Sequence, residues 1–173
     1  MPAATNELVG ISWLGSIPGL STQMVATQLP ADDTSWSRTG FITVALVGGS
    51  PNIYLPVKCP VFQVDCYAVK PGSNKPRWGA ANVLAETIRY ATLQRTGFNR
   101  LLSLTAGNVS YSPATVQTAY LTTEPRRKYS DVGDAWRVKV GLNWNSYRKV
   151  ECTIVHCVDW AQAGKKKSNK TAV

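Results

Sequence analysis

Few residues in this sequence have the chemistry of a nucleophile, a base or a soft metal ligand: His156 is the only histidine, and the four cysteines are Cys59, Cys66, Cys152 and Cys157. A hydrolase or transferase needs a nucleophile held within hydrogen-bond reach of a base. His156 instead falls on the apolar side of an alternating run, Val150, Cys152, Ile154, His156 and Val158, where a satisfied structural histidine is expected. A zinc site built on Cys152, His156 and Cys157 would have to borrow Cys59 and Cys66. Neighbouring residues on a strand project to opposite faces, however, so His156 and Cys157 do not converge on one ion. The cysteines form neither CxxC pairs nor a dense disulfide framework, and reduced, partly buried thiols are expected. The acidic residues make no DxD or ExxH pattern, and the glycines no Walker loop or GxGxxG, so nothing is arranged to cradle phosphate. The chain reads as a non-enzyme without metal or cofactor.

The chemistry that remains is electrostatic and aromatic. The formal charge is +9, from 19 Lys and Arg against 10 Asp and Glu. Lys165, Lys166, Lys167 and Lys170 sit in a basic tail, residues 161–173, expected to be disordered, while residues 1–160 form one domain. Arg126, Arg127 and Lys128 cluster in a stretch read as a charged loop from Glu124 to Asp134. These seven cations are the candidate contacts to an acidic partner, and any that meet phosphate do so in a salt-sensitive, sequence-independent way. Of the six tryptophans, Trp36 and Trp78 lie near turns and are the candidate interface anchors, against the alternative of ordinary peripheral packing.

The elements that must position these groups follow from the apolar pattern. With 44% hydrophobic and 17% charged residues the chain should fold around a core. Thr5 or Asn6 caps a short helix with apolar positions Leu8, Ile11 and Leu14, stopped at Pro18-Gly19. Strands are expected over Leu20–Leu29, Gly40–Val47 (apolar on both faces and therefore central) and Phe62–Ala68, whose outward face is Gln63, Asp65 and Tyr67. Gly48 to Pro60, rich in Gly and Pro, reads as a loop or edge segment, and Lys70–Pro76 as a polar turn. The main helix runs over Arg77–Gln94, burying Ala81, Leu84, Ala85, Ile88 and Ala91. Residues 98–114 stay ambiguous, with turns marked at Gly107-Asn108 and Ser112-Pro113. A strand near Val116–Thr123 follows. Trp136–Trp144 alternates most strongly of all and is expected to form a hairpin with a last strand, Val150–Val158. The fold class is α+β: a single domain with a mixed or antiparallel sheet of five to six strands and helices packed on it. The N-terminus shows no basic region followed by an apolar run, and Phe41–Val47 is too short to cross a membrane, so assembly in the cytoplasm with no membrane partner is expected.

Pro60-Val61-Phe62-Gln63-Val64-Asp65-Cys66-Tyr67-Ala68, a turn, and Lys75-Pro76-Arg77-Trp78-Gly79-Ala80-Ala81-Asn82-Val83-Leu84-Ala85-Glu86, preceded by Leu29-Pro30 and the strand Gly40–Val47, resemble the tail-terminator family of long-tailed bacteriophages, especially those of actinobacterial hosts. The resemblance spans roughly the first two-thirds of the chain. It implies an α/β subunit that closes into a hexameric ring, caps the finished tail tube, and presents its other face to the head-completion connector proteins. Genomic DNA would pass through the lumen without sequence-specific binding, and the location would be the tail and neck of the virion. The family has no catalytic residues to carry over. The lysine tail exceeds the compact family core and is expected to lie outside the lumen. Readings kept beside this one are another connector or minor tail protein and, from a different class, a small basic nucleic-acid-binding protein.

Overall fold

Thr5 opens the first helix as its pattern requires: the Thr5 hydroxyl accepts the Leu8 N–H at 3.3 Å, and Glu7 sits in the first turn, near the positive end of the helix dipole. The computed structural model describes residues 2–30, 36–51, 54, 57–69, 77–94, 99–128 and 148–159. Helix α1 spans Asn6–Gly15 and buries Val9, Gly10, Trp13 and Leu14. Leu8 and Ile11, expected in the buried stripe, are only partly covered. The reason is a close approach at Gly10, where a Cβ would stand 3.3 Å from the Phe62 ring. The helix rolls so that its bare backbone meets that ring. At its other end Arg100 donates to the Ser16 carbonyl at 3.0 Å, placing a cation on the negative end of the dipole.

The strand expected over Leu20–Leu29 is mostly absent. A 3-10 turn, Thr22–Met24, leads into a two-residue strand β1, Val25–Ala26, parallel to Ile42–Thr43. Strand β2 runs Phe41–Pro51 and β3 Val57–Ala68, paired antiparallel from Phe41↔Tyr67 to Pro51↔Lys58. Gly48 to Pro60, read as a loop or edge, therefore belongs largely to the two arms of a hairpin. The prolines still leave a mark. Pairing of β3 with the last strand passes from Lys58↔Val158 to Val61↔Val155, skipping Cys59 and Pro60, the latter having no N–H to give.

Helix α2, Trp78–Leu93, matches its predicted limits and buries Ala81, Leu84, Ala85, Ile88 and Thr92, with Ala91 half-buried. The ambiguous stretch resolves into β4, Arg100–Ala106, and the start of a long β5, Val109–Lys128. Gly107-Asn108 forms the tight connection, with Gly107 at φ +57° in the left-handed region a two-residue hairpin turn demands. Glu124–Lys128, read as loop, is the far end of β5. Strand β6, Arg148–Asp159, closes the sheet.

The six-stranded order is β1-β2-β3-β6-β5-β4, antiparallel except for β1 with β2, and with the two helices it makes a single α+β domain. The expected hairpin between Trp136–Trp144 and β6 is overturned, because both sides of β6 are taken, by β3 from Arg148 to Asp159 and by β5 from Lys149 to Asp159. Trp136–Trp144 itself lies outside the described residues, as do the 161–173 tail, Ala31–Ser35 and the Lys70–Pro76 turn.

One face of the sheet (Ile42, Val44, Phe62, Val64, Cys66, Ala68, Cys152 and Ile154) meets Trp13 and Leu14 of α1 and Ala81, Leu84, Ala85 and Ile88 of α2. Each large side chain fully buried there contributes roughly 1.5–3 kcal/mol. On the opposite face Trp36, Phe41 and Val69 form a second, smaller core with Ala26, Leu29 and Tyr67. The expected outward face of β3 is therefore partly covered: Asp65 is 9% exposed and Gln63 and Tyr67 are half-buried.

Candidate assembly surfaces

Two of the predicted contact residues meet. Arg127, near the end of β5, places its guanidinium 5.2 Å from the centre of the Trp78 ring, at the start of α2. Trp78 is half-buried and packs its other side against the main core, so the pair joins α2 to the sheet as well as presenting charge. Arg126 is exposed and lies in register with Glu151, while Lys128 lies in register with Lys149. Lys165, Lys166, Lys167 and Lys170 fall outside the described residues. Elsewhere on β5, Glu124 accepts from Arg89 at 3.0 Å, and Arg89 also reaches Glu86 at 3.3 Å, so one cation is shared between two carboxylates on this flank.

Trp36 is placed differently from its reading as an interface anchor. It is 3% exposed and packs on Phe41 with ring centroids 6.0 Å apart, inside the chain's own second core. The turn it adjoins folds back over the sheet because Gly40, at φ +83°, returns its N–H to the Trp36 carbonyl at 2.8 Å.

His156 is structural in position, but the expectation that it is satisfied does not hold. It is 1% exposed, lies between Trp13 and Phe62 with ring centroids at 4.6 and 5.2 Å, and neither nitrogen finds a hydrogen-bond partner among the described residues. Burial pulls its pKa down to about 3, so the ring is neutral. Cys66 and Cys152 are buried free thiols on adjacent strands; burial first, then Cys152 and Asp65, push the Cys66 thiol up. Among the described residues no three of His, Cys, Asp and Glu gather around one point. On the opposite face Gln63 donates to Asp65 at 3.2 Å, and Tyr67 bonds Thr43 and Asp65. Burial, reinforced by the Asp65 charge, raises the Tyr67 phenol far above its usual range.

The surfaces that sequence reasoning missed are apolar. Leu46 and Val47 on β2 are 40% and 55% exposed, Leu101 on β4 66%, and Val83, Tyr90 and Leu93 line the outward side of α2. The signal on α2 was present in the sequence, since these three recur at helical spacing off the buried stripe. On the strands it was not, because exposure there depends on which edges the topology leaves open. Beyond Thr43, β2 has no neighbour on its outer side among the described residues, and β4 ends the sheet with its outer edge likewise unpaired. Beside the open part of β2 runs a groove of about 470 Å³ lined by Asn6, Leu46, Gly48, Gly49, Ser50, Lys58, Cys59 and Pro60.

Scanned against models of protein families and searched against curated proteins, the chain matches none.

Proposed function

We propose that this chain is a structural virion protein: the subunit of a ring, a hexamer on the resemblance of its β3 and α2 sequences, that terminates the tail tube of a long-tailed bacteriophage and joins it to the head connector. The observation that carries the reading is a small α+β domain whose sheet, among the described residues, is open at both ends, with Leu46, Val47 and Leu101 exposed on the open strands. Unpaired edges of this kind invite another chain, and a head-to-tail arrangement of subunits that closes on itself removes them. Function is then geometry: one face of the ring matches the end of the tube, and the other refuses more tube subunit and receives the connector. DNA passes through the lumen without sequence-specific binding.

The test is light scattering on the full chain, alone and mixed with its tail-tube protein, with tube length followed by electron microscopy. A closed ring, or a monomer that becomes one on tube ends and stops their growth, is the expected result. A monomer that ignores tubes overturns the reading. The +9 charge and the exposed Arg126 favour a second reading, a small basic nucleic-acid-binding protein. Tight DNA binding with a steep salt dependence, in a chain that stays monomeric, would select it.

A further inference from the structure

The self-association in the reading above leaves open which surfaces meet. We infer that the subunits join edge to edge, the outer side of β2 in one copy pairing with the outer side of β4 in the next, so that the sheet continues through the assembly. The inference rests on that reading only for its claim that the chain associates with itself.

Three observations carry it. First, neither edge carries the charges or prolines that commonly keep an edge strand single, from Val44 to Ser50 or from Leu101 to Ala106; β2 is interrupted by a bulge at Val47. Second, the two edges fit each other. They are of similar length, and the successive antiparallel pairings β2–β3–β6–β5–β4 make β2 and β4 run in the same direction. Copies related by rotation about a ring axis therefore bring β4 against β2 in parallel. That is the sense in which β1 already pairs with β2 at Ile42 and Thr43, just before the open stretch begins. Third, the groove beside Leu46 and Gly48 leaves room on the helix side for an incoming strand.

The occupant of each edge is a second copy, because the two edges of one chain match each other in strand direction and in their uncharged, proline-free composition.

Ala45 and Leu101 are exposed and lie on the same sheet face, opposite the helices, since Val44 and Leu102 beside them are core residues. Two double variants of the full chain separate the alternatives. Ala45→Lys with Leu101→Lys places like charges across the junction, and Ala45→Lys with Leu101→Glu places opposite ones. At low salt the first should need on the order of fivefold more protein for half-assembly than the second. Circular dichroism checks that both fold, and Ser103→Lys and Ser103→Glu repeat the comparison one same-face position along β4. Equal weakening by Lys and Glu at position 101, whatever stands at 45, would mean that β4 meets β4 across a two-fold axis, and would overturn the inference. So would double variants that assemble as the natural chain does; in that case the ring reading stands and only the choice of edges fails. A natural chain that stays monomeric, with or without tubes, overturns both.

Discussion

His156 lies against Trp13 with ring centroids 4.6 Å apart and planes inclined by 60°, and neither its nitrogens nor the indole N–H of Trp13 meets a hydrogen-bond partner among the described residues. A strand of the sheet and the first helix are thus held together through a polar ring kept neutral by burial. The folded pKa of about 3 lies below the ordinary value of 6.5. Above pH 6.5 both folded and unfolded chains are neutral here, and the group contributes no pH dependence. Below it the unfolded chain takes up a proton that the folded chain refuses, so stability falls as pH drops toward 3, by at most about 1.4 kcal/mol per unit. His156→Leu should flatten this part of the profile and cost little at pH 7.5, since it removes an unsatisfied polar group. Urea unfolding of both proteins between pH 7.5 and 4 reads the difference, and identical slopes would contradict it.

Gly40 is held where no side chain fits. A Cβ there would stand 2.6 Å from Leu84 and 2.8 Å from the Tyr67 carbonyl, on a backbone at φ +83°. Gly40→Ala should therefore destabilise by about 2 kcal/mol or more. Gly79, in the first turn of α2, has open space around it, and Gly79→Ala should stabilise by up to about 1 kcal/mol. Denaturant midpoints of the two variants should move in opposite directions.

The thiols should react in an order set by burial. Cys59 is half-exposed, whereas Cys66 and Cys152 are at most 1% exposed and the Cys66 thiol resists ionisation. Under iodoacetamide at pH 8, mass spectrometry should find Cys59 modified before Cys66 and Cys152. Cys66 and Cys152 should follow only at the rate of unfolding. Early labelling of Cys66 would show that α1 and α2 do not seal that face.

Arg127 over Trp78 should couple α2 to β5. A double-mutant cycle with Arg127→Ala and Trp78→Leu is expected to give an interaction of roughly 0.5–1 kcal/mol, and Arg127→Ala alone should shift the tryptophan emission. Zero coupling would leave Arg127 as a surface charge with no part in the fold.

Local pattern determined a good deal of this protein. The Thr5 cap, the inward set Phe62, Val64, Cys66 and Ala68, the α2 stripe from Ala81 to Ile88, and the alternation through Ile154 and His156 are properties of neighbouring residues, and the period of two or 3.6 makes them readable without the fold. The tertiary structure decided what depends on distant partners. Leu8 and Ile11 yielded the buried face of α1 to Val9 and Trp13 because Gly10 meets Phe62, fifty-two positions away. Gly48 to Pro60 became hairpin arms because strands on both sides kept the ladder going past a skipped proline. Trp36 left the surface because Phe41 and Val69 made a second core beneath it. The open edges are the most consequential case: Leu46 and Leu101 look like any strand leucine in sequence, and only the order β1-β2-β3-β6-β5-β4 leaves one side of their strands unpaired among the described residues. Hydrophobic periodicity reports which side of an element is apolar, whereas the choice of what covers that side belongs to the whole chain.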